Sequence, residues 1–78
     1  MGSLVAMMIK PLSILGKAVN NNVIVVLRGK KEFRGVLDGY DQFMTIVLKN
    51  ADELFEGQPV AKHRMAVVRG DNIIYISP

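Results

Sequence analysis

Two uncharged apolar runs, Met65 to Val68 and Ile73 to Ile76, stand on either side of Arg69-Gly70-Asp71-Asn72. Runs this short leave no room for a helical repeat, and polar, turn-forming residues separate them, so this end of the chain reads as strand, turn, strand. The same arrangement occurs earlier, where Asp38-Gly39-Tyr40-Asp41-Gln42 precedes Phe43-Met44-Thr45-Ile46-Val47-Leu48. Each turn carries side chains suited to gripping a planar, charged ligand. Brought together, they would make a pocket for a nucleotide base.

The remaining chain fits a β architecture with one leading helix. Lys10 to Val19 reads as that helix: Pro11 suits a first turn, Leu12, Leu15 and Val19 share one face, and Asn20-Asn21-Asn22 stops it. Val23 to Leu27 is a β-branched run expected to be covered on both faces. Gly29-Lys30-Lys31 turns the chain into a second strand, Glu32 to Tyr40, whose Gly35 and Gly39 permit sharp bends. A third strand is expected over Met44 to Lys49, an acidic loop over Asn50 to Pro59 centred on Glu56-Gly57, and further strands over Val60 to Val68 and Ile73 to Ile76. The expected fold is all-β, a short N-terminal helix followed by a strongly bent five-stranded antiparallel sheet forming a small barrel. Residues 10–78 form the domain and 1–9 a flexible lead-in.

Size then raises the question of what stabilises it. A chain of 78 residues buries only a modest share of its surface and ordinarily needs a disulfide, a metal or a partner. It has no cysteine and a single histidine, His63, which excludes a disulfide and argues against a zinc site. Partners remain. The runs at Met65–Val68 and Ile73–Ile76 lack the lysines, prolines and bulges that guard natural edge strands. They predict that the fourth strand of one copy pairs with the fifth of the next, a head-to-tail contact that can close into a ring. A net charge of +3 biases the chain towards anionic ligands. Leu4 to Ile9 is far shorter than the ~20 residues of a membrane span, so no membrane association is expected. A cysteine-free chain fits a reducing cytoplasm.

From Pro11 to Pro78 the chain resembles the archaeal Sm-like family of RNA-binding proteins. Two separated motifs carry the resemblance: Phe33-Arg34-Gly35-Val36-Leu37-Asp38-Gly39-Tyr40-Asp41-Gln42-Phe43-Met44-Thr45, and Val68-Arg69-Gly70-Asp71-Asn72-Ile73. In that family the two turns line the pore of a six- or seven-membered ring and bind one uridine-type base per subunit. The resemblance implies that Phe43 stacks on one face of the base and the Arg69 guanidinium covers the other. It also implies that Asp71 orients its neighbours, Gly70 allows close backbone approach and Asp41 braces the first turn. Stacking of this kind is worth about 1–3 kcal/mol per base. The family normally carries Asn where this chain has Thr45. A hydroxyl cannot offer uracil the paired contact of an amide, so RNA binding is expected to survive with weaker uridine preference.

The resemblance thus implies a non-catalytic, cofactor-free and metal-free homo-oligomeric ring, a heptamer with a hexamer as the alternative. It would bind single-stranded, U-rich RNA and act as a scaffold or chaperone in RNA processing and turnover, alongside RNA-processing proteins. The rival is a small-barrel assembly module without RNA affinity. Blander readings stand beside each residue. Arg69 and Asp71 suit an ordinary turn, Phe43 an ordinary core position, and Asp41 a turn-forming one. Lys30, Lys31 and Arg34 suit a solvated hairpin face or an auxiliary RNA contact. His63 reads as an exposed strand residue with no carboxylate held against it. Asp52, Glu53 and Glu56 read as solubilising loop charge.

Overall fold

The structure, a computed structural model, describes the backbone of residues 11–77 and the side chains of residues 15–77. The lead-in expected over 1–9, the helix start at Lys10 and the terminal Pro78 lie outside the described residues, as does the side chain of Leu12. Helix α1 spans Pro11–Ala18, followed by β1 (Asn22–Leu27), β2 (Lys31–Tyr40), β3 (Ile46–Phe55), β4 (Gln58–Val68), a 3-10 turn at Gly70–Asn72, and β5 (Ile73–Ser77). The all-β expectation with a leading helix holds.

Asparagine ends the helix as its chemistry allows. Asn20 adopts φ +72°, and the Asn21 N–H donates to the Ala18 carbonyl at 2.9 Å. The exit is also tied to the sheet: Asn20 N–H donates to Leu37 O at 2.7 Å, and Leu37 N–H returns a bond to Asn21 O at 3.0 Å. Leu15 and Ala18 are buried on the sheet beside Val23, Val25, Leu37, Ile46 and Leu48. In β1, Val23, Val25 and Leu27 face this core while Ile24 and Val26 are half-buried, so both faces are covered.

The strands form one antiparallel sheet in the order β4-β3-β2-β1-β5. The outer strands β4 and β5 are nevertheless joined by only the residues between Val68 and Ile73. In a flat sheet four inter-strand steps of about 4.8 Å would hold them roughly 19 Å apart. Five residue steps span at most about 17–18 Å when fully extended, and this link contains a 3-10 turn that shortens it. The sheet must therefore curl. Register shifts between Arg34 and Val36, between Leu37 and Gly39 and between Glu53 and Leu54 supply the bending.

The third strand differs from expectation. It runs from Ile46 to Phe55, so most of the expected acidic loop is strand, and the reversal narrows to Glu56-Gly57 with β4 starting at Gln58. The physical reason is a bulge opposite Gly35: Arg34 pairs with Asp52 and Val36 with Lys49, leaving an extra residue in β3. Asn50 takes φ +50° there. The bulge resets the inward phase, so that Ile46 and Leu48 are followed by buried Ala51 and Leu54. Gly35 is required at this crossing because a Cβ would lie 2.9 Å from the Lys49 carbonyl oxygen. Gly39 sits at the second register shift of this strand, where a Cβ would meet nothing within 4 Å, so no close approach requires glycine there.

Candidate nucleic-acid interface

The first turn is built around one carboxylate. Asp41 Oδ1 accepts from the Phe43 and Thr45 N–H groups, each at 2.9 Å. The backbone closes the loop, with Met44 N–H donating to Asp41 O at 3.0 Å and Asp41 N–H to Thr45 O at 3.2 Å. An aspartate bonded in this way to the backbone beyond it fixes a turn without help from packing. Met44, at φ +63°, packs half-buried against the core and throws its neighbour outward. Phe43 is consequently 74% exposed, so it is not a core residue. Thr45 is half-buried at the foot of the turn.

The second turn reaches the first through Gly70. A Cβ at this glycine would stand 2.6 Å from Phe43 O and 2.8 Å from Met44 Cβ. No side chain fits, and the two turns touch backbone to backbone. Arg69, the last residue before the 3-10 turn, extends an exposed side chain beside this junction. Asp71 is also exposed, with its Oδ1 3.9 Å from Arg69 Nε, a loose pairing that leaves the guanidinium plane available. The fold thus gathers Asp41, Phe43, Thr45, Arg69, Gly70 and Asp71 into one site. The Arg28–Lys30 turn abuts it as well, since Arg28 N–H donates to Asn72 O at 3.1 Å.

Sequence reasoning missed the special role of Met44. A methionine in the left-handed region carries no local signal, and the closeness of Gly70, from the far end of the chain, could not be read from the residues around it. Next to this site an apolar groove of about 350 Å³ opens between Leu15 of α1, Met44, Gly70 and Ile73–Ile76 of β5. On the opposite edge β4 presents exposed Met65 and Val67.

Elsewhere the charges are mostly paired. Lys30 meets Glu56 at 3.5 Å, Lys31 meets Glu53 at 3.4 Å, and Arg34 meets Glu32 at 2.7 Å, so this hairpin face is an ion-pair lattice. Asp52 faces Lys62 across the strands. Asp52 and Glu53 are therefore cross-strand partners, a correction to their reading as loop charge, whereas Glu56 stays an exposed turn residue as expected. His63 is corrected too: its Nε2 lies 2.8 Å from Glu53 Oε1, and its ring leans on Phe33 at 5.9 Å between centroids. The His63 bond, reinforced by Lys31, holds the Glu53 carboxyl below the ordinary glutamate range. Among the described residues no group of three or more His, Cys, Asp or Glu side chains could hold a metal ion, and no helix is long and apolar enough to cross a membrane.

Comparison with known proteins gives a consistent answer. The sequence pattern of the LSM domain matches residues 13–78. An Sm-like protein of Methanosarcina barkeri is 54% identical over 69 residues, covering 88% of this chain and 96% of its own. The Sm protein of Pyrococcus abyssii, solved in complex with a uridine heptamer, matches with TM-score 0.85 and 37% identity, covering 90% of this chain and 99% of that one. The SmAP1 heptamer of P. aerophilum matches with TM-score 0.80 and 35% identity over 87% of this chain and 90% of that one.

Proposed function

The chain belongs to the LSM domain family, and from that premise we propose that it assembles into a homo-oligomeric ring that binds single-stranded, U-rich RNA. The observation that carries this reading is the Gly70 junction. It sets an exposed aromatic ring, Phe43, and an exposed guanidinium, Arg69, on adjoining turns beside a polar Thr45 and Asp71. A flat base placed between ring and guanidinium gains stacking on one face and cation–π attraction on the other. Asp41 contributes by holding the turn that presents Phe43. The proteins of similar structure include an Sm protein in complex with a uridine heptamer, which supports the choice of ligand.

The ring follows from the edges. β4 and β5 end the sheet and expose Met65, Val67, Ile74 and Tyr75. Pairing β4 of one copy with β5 of the next satisfies both rows of backbone groups, and the groove beside Ile73–Ile76 accepts the apolar side chains that arrive with it. We take the ring to be seven-membered, as in the P. aerophilum structure. In this reading the protein is a cytoplasmic scaffold or chaperone in RNA processing and turnover, working with RNA-processing proteins and catalysing nothing itself.

Native mass spectrometry joined to fluorescence anisotropy with labelled oligouridine tests the proposal. A ring that binds oligouridine, and an Arg69→Ala ring that binds it at least about tenfold more weakly, is the expected result. That factor is the 1.4 kcal/mol equivalent of one lost stacking plane. A ring that binds no RNA would leave the assembly module as the function.

A further inference from the structure

We infer that Arg28 is a phosphate-binding residue of the same site, contributed by the turn between β1 and β2. This inference rests on the RNA-binding reading and extends it from the base to the backbone of the nucleic acid.

Placement is the first argument. Arg28 N–H donates to Asn72 O at 3.1 Å, immediately after Leu27 pairs with Ile73. The turn that carries Arg69 is thus flanked on one side by the Phe43–Met44 backbone and on the other by Arg28. A nucleotide whose base sits against Phe43 and Arg69 carries its sugar and phosphate beyond the base edge. Arg28, an exposed residue with a long cationic side chain, belongs to the adjoining turn.

Charge is the second. Lys30, Lys31, Arg34, Lys49, Lys62 and Arg69 each lie within ion-pair distance of a carboxylate. Lys17, Arg28 and Arg64 have no such partner among the described residues. Lys17 lies on α1 and Arg64 within β4, so Arg28 is the unpaired cation bonded to the 69–72 turn. The two base-gripping turns by themselves are poorly charged for a polyanion, with Arg69 set against both Asp41 and Asp71. Arg28 restores the balance where phosphate must pass, and guanidinium binds phosphate in bidentate fashion. In a ring every subunit adds one such cation.

The test is fluorescence anisotropy of labelled oligouridine and oligoadenosine over a range of salt concentrations. It uses rings of wild type, Arg28→Ala, Arg28→Gln and Arg28→Lys, with ring mass checked by native mass spectrometry. Each phosphate contact to a single strand contributes about 0.7 to the slope of log affinity against log salt. Arg28→Ala and Arg28→Gln are expected to lower that slope by about 0.7 for each subunit engaged. They should weaken both homopolymers by the same factor. Arg28→Lys should keep most of the slope. Intact Arg28→Ala and Arg28→Gln rings with unchanged affinity and slope overturn this inference alone. A changed preference between the homopolymers also overturns it, because Arg28 would then be reading bases. A wild-type ring that binds neither homopolymer overturns the RNA reading itself.

Discussion

Gly70 and Met44 lie so close that a methyl group on the glycine would stand 2.8 Å from the Met44 Cβ. The left-handed methionine, at φ +63°, is held by the Asp41-bonded turn and lies under a turn that comes from the other end of the chain. Such conformations cost of order 1–3 kcal/mol and persist only where the surroundings enforce them.

Gly70→Ala should therefore push the two turns apart. Backbone atoms of Phe43 and Met44 are what the new methyl meets, and backbone does not step aside as a side-chain tip would. The expected outcome is a loss of about 1–3 kcal/mol in stability, the usual range for overpacking, with oligouridine affinity falling more than tenfold. Chemical denaturation and anisotropy on the same sample measure both. A variant with wild-type affinity would mean that the turns bind independently.

Ile74 is 61% exposed on the unpaired edge of β5, whereas Ile76 is half-buried against the core. Ile74→Lys should leave the subunit folded and abolish the ring, because a lysine on an edge strand blocks strand addition. Native mass spectrometry should show monomers in place of rings. Intact rings from this variant would place the subunit contact elsewhere.

Glu53 offers a test by pH. Its carboxyl titrates below the ordinary value because His63 Nε2 and Lys31 stabilise the charged form. A depressed folded-state value means that the ionised carboxylate contributes stability above the unfolded value of about 4.3. That contribution is lost as pH falls through the lower folded value. Wild type should thus exceed Glu53→Gln in stability near neutrality, and the gap should close in acid, below about pH 4. Parallel melting curves across that window measure it. A gap that persists unchanged into acid would assign the effect of the substitution to packing.

Thr45 bears on specificity. Its N–H is taken by Asp41 Oδ1, which leaves only a short hydroxyl for the base edge. Thr45→Asn should raise the preference for oligouridine over oligoadenosine by about tenfold, equivalent to ~1.4 kcal/mol and within the range of a bidentate contact to a base. Overall affinity at low salt should change less. Titrations of both homopolymers decide it, and an unaltered ratio would move base reading to another residue.

The element order and the gathering of the site were legible in the sequence, because apolar runs and polar turns alternate plainly from Val23 onward. The stretch from Asn50 to Pro59 was not. Its asparagine, acids and glycine spell loop, and the Asn50 bulge breaks the two-residue period just where a strand would have declared itself. The same misreading hid the Glu53–His63 bond, since a loop has no register to set a carboxylate diagonally across from a histidine. Gly70 was singled out for letting a backbone come close. The backbone it admits is that of Phe43 and Met44, a contact between residues too far apart in sequence for any local pattern to carry.

The curl of the sheet has a mechanical consequence. The chain from Arg69 to Asn72 is a strap drawn between the two margins that neighbouring subunits would grasp, and it carries Arg69 and Asp71 of the base site. A pull on either margin would be shared between this strap and the four strand pairings that link β4 to β5 through the sheet.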